Sequence, residues 1–224
     1  MTDLADVWPV HAIRLRTAGL DLQVMREADL PAVVGALPDD VELDPGAPSY
    51  PGLGRAANRR AALARSYWRA LGTWSPDDWA LPFVVRERGE VVGVQWLEGP
   101  APYRRQRTVD SSSWLVPRAR RRGLGTQMRA AVLELAFGHL GAVAAITSAY
   151  VENAASLGVS RALGYRETHT SVLEPGSRVL QHLRLDRPDW PAGGPARPVD
   201  VSGVAGALAL FALGDERAPG DERV

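Results

Sequence analysis

The run Trp114-Leu-Val-Pro-Arg-Ala-Arg-Arg-Arg-Gly-Leu-Gly-Thr126 constrains this chain most, because an apolar strand enters an Arg/Gly turn and leaves it as a helix. Glycines at 123 and 125 let the backbone approach a ligand closely. The first N–H groups of the following helix have no partner inside it, so the turn reads as a socket for an anion such as a diphosphate.

The rest of the composition removes rival chemistries. There is no cysteine, which excludes disulfides, a thiol nucleophile and Cys-bound zinc. All 26 basic residues are Arg, so the Lys of a Walker-type phosphate loop is missing. Met128 stands where a dinucleotide fingerprint needs its third glycine. The four histidines, at 11, 139, 169 and 182, show no metal-ligand spacing, and Gly158-Val-Ser160-Arg-Ala162 lacks the closing glycine of a hydrolase elbow. A net charge of zero gives no bulk reason to expect a polyanion or an anionic membrane. With 46% apolar residues and 7 Trp, 224 residues suit one well-filled domain, expected to be soluble and cytoplasmic.

Periodicity then lays out the chain. Residues 13–17 and 20–25 alternate as a strand pair around Ala18-Gly19, and 26–37 has helical spacing with Pro31 in its first turn. A loop rich in Pro, Gly and Asp follows over 38–57. Asn58 is placed to cap a helix through Leu71, with Leu63, Tyr67 and Leu71 on one stripe and Gly72 as its stop. Residues 81–87 and 90–97 read as a hairpin across Arg88-Gly89, and 108–116 as the strand that leads into the glycine turn. A helix over 124–140, a short strand over 142–147, a helix over 153–163 and strands over 165–171 and 179–185 complete the domain, expected to span 1–186. From Arg187 to Val224 Pro and Gly are dense, and we expect an appendage with one small helix over 201–213.

Arg120-x-x-Gly123-x-Gly125, followed by Asn153-x-x-Ser156 and Leu163-Gly164-Tyr165, resembles the two signature blocks of the GNAT acyltransferases. The Ser at the fourth position of the second block is similar to the ribosomal-protein N-terminal acetyltransferase branch. The blocks span about 114 to 165, with weaker similarity from roughly 13 to 185. The resemblance implies an α/β fold: a mixed, mostly antiparallel sheet of about six or seven strands, helices on both faces, and a splayed strand pair that receives the acyl arm. It implies acetyl-coenzyme A as cofactor and direct transfer to a primary amine, either a small molecule or a protein N-terminus. Neither nucleic acid nor membrane is expected as partner, and a homodimer is left open.

The same resemblance assigns candidate roles. Backbone amides of Arg121, Arg122, Gly123, Leu124, Gly125 and Thr126 would hold the pyrophosphate, behind Arg120, while Leu115 and Val116 pair with the pantetheine arm. Asn153 would contact the cofactor near its thioester, although its position equally suits a helix cap. Ser156 is the candidate proton donor to the leaving thiolate, because Ser160 stands where many relatives carry Tyr. Asp110 or Glu152 would serve as base. Tyr67, Trp68, Trp74 and Trp79 are expected to line the amine pocket. Two other readings stay open: a coenzyme A-binding module without turnover, and nucleic-acid binding through Arg104, Arg105, Arg107 and Arg118–Arg122. An acyl donor bulkier than acetyl-coenzyme A would need a cation near the acyl tip.

Overall fold

The structure, a computed structural model, describes residues 2–41, 47–173, 177–191 and 198–213. Six helices and ten strands alternate along it: α1 Leu4–Val7, β1 Arg14–Arg16, β2 Asp21–Val24, α2 Leu30–Ala36, α3 Arg55–Gly72, β3 Trp79–Glu87, β4 Glu90–Gly99, α4 Tyr103–Gln106, β5 Thr108–Asp110, β6 Ser113–Leu115, α5 Leu124–Gly138, β7 Ala144–Tyr150, α6 Ala154–Ala162, β8 Arg166–Leu173, β9 Arg178–Asp186 and β10 Asp200–Ser202. The sheet runs β10-β1-β2-β3-β4-β5-β7-β9-β8, with β6 as a further partner of β4. Every pairing is antiparallel except β5 with β7.

Strand β3 explains why the sheet is covered on both faces. Its residues 81–85 are all buried, as an apolar run without alternation requires. Val84 and its cross-strand partner Val94 pack with Leu30, Val33, Leu63 and Tyr67 from α2 and α3. Their neighbours Phe83, Val85 and Val92 point the other way into the larger core that holds α5 and Tyr165. At about 1.5–3 kcal/mol for each fully buried large side chain, this two-sided packing supplies most of the sheet's stability.

Local chemistry moves several boundaries from the sequence expectation. The hairpin over 81–97 forms, with Arg88 and Gly89 both at positive φ, as a two-residue turn between twisted strands requires. Helix α3 starts at Arg55 rather than Asn58, because the Asn58 amide turns back to clamp the loop: it accepts from Tyr50 N and donates to Leu53 O. The expected strand over 108–116 is broken into β5 and β6. The small helix expected over 201–213 is instead β10 plus a 3-10 segment over Ala205–Phe211. Nor is that stretch peripheral: β10 pairs with β1, and Phe211 is 1% exposed against Trp74 and Trp79, so residues 198–213 share the main core. Among the described residues no helix is long and apolar enough to cross a membrane.

Candidate active site

The break between β5 and β6 is where the site begins. Asp110 is in register with Ile146 of β7, but from Ser113 the chain pairs only with β4, while β7 stays with β9. Gly93 permits that change of partner, because a Cβ there would lie 2.2 Å from Trp114 O. The two parallel strands therefore part beyond residue 110. A buried polar cluster sits at the parting point: Arg129 of α5, 3% exposed, donates to Thr147 Oγ1 (3.4 Å), which donates to Ser111 O (3.1 Å).

One wall of the opening is the glycine turn. Arg121 and Gly123 both lie at positive φ (58° and 76°), and Gly123 caps α5 with nothing within reach of a Cβ. That geometry turns successive amides inward, and the N–H groups of residues 121–126 meet no acceptor among the described residues, the first bond being Gln127 N to Gly123 O. Two of the turn's arginines are already engaged, while the exposed Arg121 has no ion pair among the described residues. Arg120 donates to Leu115 O and forks onto Asp40, and Arg122 forks onto Glu87 at 2.7 and 2.9 Å. Both carboxylates are held below their ordinary pKa by these hydrogen bonds. The turn is thus a backbone socket braced by two clamps, and it fits a diphosphate.

Against α3 lies a cavity of about 510 Å³, lined among others by Arg69, Asp78, Trp79, Trp96, Glu98, Ser112 and Trp114. Glu98 of β4 is the Cα partner of Asp110. Burial pushes its carboxyl up to about 7, reinforced by the charge of Asp110 and opposed by Arg69. Asp110 is also raised by burial, although its Oδ1 accepts from Ser111 N at 2.6 Å and Arg129 pulls the other way.

The remaining candidates separate. Asn153 does cap α6, its Oδ1 accepting from Ser156 N at 3.1 Å. Ser156 is half-buried on the first turn of α6, whereas the Ser160 hydroxyl is buried and spent on Ser156 O. Glu152 is exposed and bound to Arg178, which lowers its pKa and makes it the weaker base. Of the four aromatics expected in the amine pocket only Trp79 lines it. Tyr67 is on the buried face of α3 with its phenol pushed up to about 12 by burial, and Trp68 is 49% exposed. Trp74 packs on Trp8 and Phe211 and donates to Leu210 O. The sequence reading missed Glu98, Trp96 and Trp114. The signal for the first two was a carboxylate and an indole two apart, hence on one face, in an otherwise apolar strand.

A mostly antiparallel sheet that opens beside a strand, glycine turn and helix is the architecture of the GNAT acyltransferases. The family profile of the acetyltransferase (GNAT) domain matches residues 20–166. Solved structures with the same fold include Mycobacterium smegmatis RimJ in complex with CoA-disulfide, at 19% identity and a TM-score of 0.64 over 82% of this chain and 91% of that one. A chimera of spermidine N-acetyltransferase SpeG from Vibrio cholerae and hSSAT follows at 15% and 0.60 over 76% and 97%. A GNAT-family acetyltransferase from Bacillus anthracis gives 16% and 0.58 over 78% and 99%. The chain belongs to the GNAT acetyltransferase family. It is an acyltransferase of the class that takes its acetyl group from acetyl-coenzyme A.

Proposed function

We propose that the protein acetylates a primary amine, an α-amine above all, in the cavity beside Glu98, with the cofactor's diphosphate on the amides of residues 121–126. The cofactor supplies an acetyl group activated as a thioester. Hydrogen bonds to a charged group contribute roughly 1.5–3 kcal/mol each, so a few amides suffice for micromolar affinity. Of the two residues expected along the pantetheine arm, Val116 has its N–H on Val92 O and its carbonyl on Ala119 N, and Leu115 O accepts from Arg120. The Leu115 N–H, on the side of β6 that has lost β7, is the backbone group offered to the arm.

The observation that carries the reading is Glu98, a carboxyl raised to about 7 inside the cavity at the strand's parting point. An α-amine of pKa about 8 is roughly one-tenth neutral at pH 7, so a base of near-matched pKa is enough. As the nitrogen attacks the acetyl carbon it gives its proton to Glu98, and Asp110, as its neighbour across the strands, keeps that carboxyl basic. Ser156 passes a proton to the departing sulfur and is reprotonated, through solvent, by the proton that Glu98 took from the amine, which resets both groups. Thiol release from acetyl-coenzyme A across a panel of peptides, polyamines and amino acids tests this directly. At least one amine is expected to be turned over by the protein and not by Glu98→Gln; no turnover with any amine would contradict it.

A further inference from the structure

Helix α3, which forms one side of the cavity, has an unusual charge pattern. Its eighteen residues hold five arginines and no carboxylate. Arg55, Arg59, Arg65 and Arg69 fall within one arc of about 120° when placed at 100° per residue. Ser66 and Ala70, which line the cavity with Arg69, lie on or beside that arc. Like charges four apart, as at Arg55/Arg59 and Arg65/Arg69, destabilise a helix by about 0.2–0.5 kcal/mol per pair. Two carboxylates offset this only at a distance, Asp40 toward Arg59 and Glu98 toward Arg69. No carboxylate among the described residues pairs with any arginine of α3. Arg59 and Arg65 donate instead to neutral oxygens, Pro38 O and Tyr50 Oη.

The cavity thus presents two opposite signs in order. Its floor carries the half-buried carboxyl of Glu98 with the indole of Trp96, and the exposed Asp78 adds a second carboxylate to the lining, a setting for an ammonium. Its rim carries Arg69, and the positive arc continues from there for 14 residues, about 21 Å along the helix axis. An extended peptide covers that length in roughly six residues. Resting on the acetyl-transfer reading above, we propose that the acceptor is the N-terminus of an acidic peptide segment. Its α-ammonium enters between Glu98 and the tryptophans, and its carboxylates lie on Arg69 and on the arginines that follow along α3. A nucleic acid would meet the same arginines, but the anionic floor repels phosphate and has a use only for an amine.

The test compares hexapeptides that begin with Ser and carry three acidic, three neutral or three basic residues at positions two to six. With acetyl-coenzyme A as donor, kcat/KM for the acidic peptide is expected to exceed that for the neutral one by roughly tenfold, mainly through KM, as one or two charge-assisted contacts imply. The ratio should fall with salt, stay above one in Arg69→Lys, approach one in Arg69→Ala and invert in Arg69→Glu. The distal pair Arg55→Glu/Arg59→Glu should lower it without contact with the cavity. Calorimetry of the same peptides on coenzyme A-loaded protein separates the two readings. Binding of the acidic peptide without turnover would sink acetyl transfer and leave this surface standing, whereas turnover or binding indifferent to peptide charge would overturn the surface. Tighter binding of a single-stranded oligonucleotide of equal charge, or turnover of free glutamate as fast as the hexapeptide, would overturn the peptide assignment.

Discussion

The glycine turn at the start of α5 and the cavity beside α3 are built on different principles. The turn works through main-chain amides, and two of its arginine side chains, Arg120 and Arg122, are taken up by Asp40 and Glu87 in bracing it. The cavity works through side chains from α3, β3, β4 and the β5–β6 break, short groups of residues that lie far apart in sequence, from 63 to 114. A backbone device is fixed by a few residues in one stretch and tolerates variation around it. A side-chain device depends on which distant positions the sheet brings together, so it is free to change with the acceptor.

That contrast predicts unequal sensitivity. The largest effect should come from Glu98→Gln, which removes the proton acceptor and should lower kcat by roughly 10²- to 10⁴-fold, with little change in affinity for acetyl-coenzyme A measured by calorimetry. A matching loss in affinity would mean that cavity and turn are not separable. Next is Gly123→Val. A β-branched residue at φ of 76° costs about 1–3 kcal/mol of backbone strain, and should raise the dissociation constant of acetyl-coenzyme A by roughly tenfold or more while the amine KM changes less.

Glu98 should also leave a mark on stability. Its folded pKa, about 7, lies above its ordinary 4.5, so the native state holds the proton more tightly than the unfolded chain. Stability then falls as pH rises from about 4.5 through 7, by on the order of 3 kcal/mol in all. Urea titration should find Glu98→Gln more stable than the parent at pH 8 and close to it at pH 4; equal differences at both would place the carboxyl in water. The smallest effect is expected from Arg122→Ala. Its exposed pair with Glu87 contributes at most about 1 kcal/mol, and if the amides carry the affinity, acetyl-coenzyme A binding should weaken by no more than about threefold. A hundredfold loss would mean that the guanidinium itself binds phosphate.

How much of this was readable beforehand follows the same division. The strand, turn and helix over 114–138 stand in one stretch whose glycines, apolar stripe and helix start all agree, and the β3–β4 hairpin is announced by Arg88-Gly89. Asn153 offered two roles at once, and its capping bond to Ser156 N satisfies the local one. The cavity was hidden because its residues meet only through register. Trp68 and Trp79 are equally aromatic in the sequence, but helical phase turns the first to solvent and the pleat of β3 turns the second inward. Glu152 looked equivalent to Asp110 until Arg178, from the far end of β9, paired with it. The last stretch, 198–213, reads as a tail because its contacts, Trp74 and β1, lie more than a hundred residues away.

Amide spectra of the 15N-labelled protein during titration with coenzyme A would show whether the backbone socket holds the diphosphate. The N–H signals of residues 121–126 are expected to move together, with the downfield shifts of new hydrogen bonds, and to saturate at micromolar ligand. Saturable binding that leaves those signals in place while others move would contradict it.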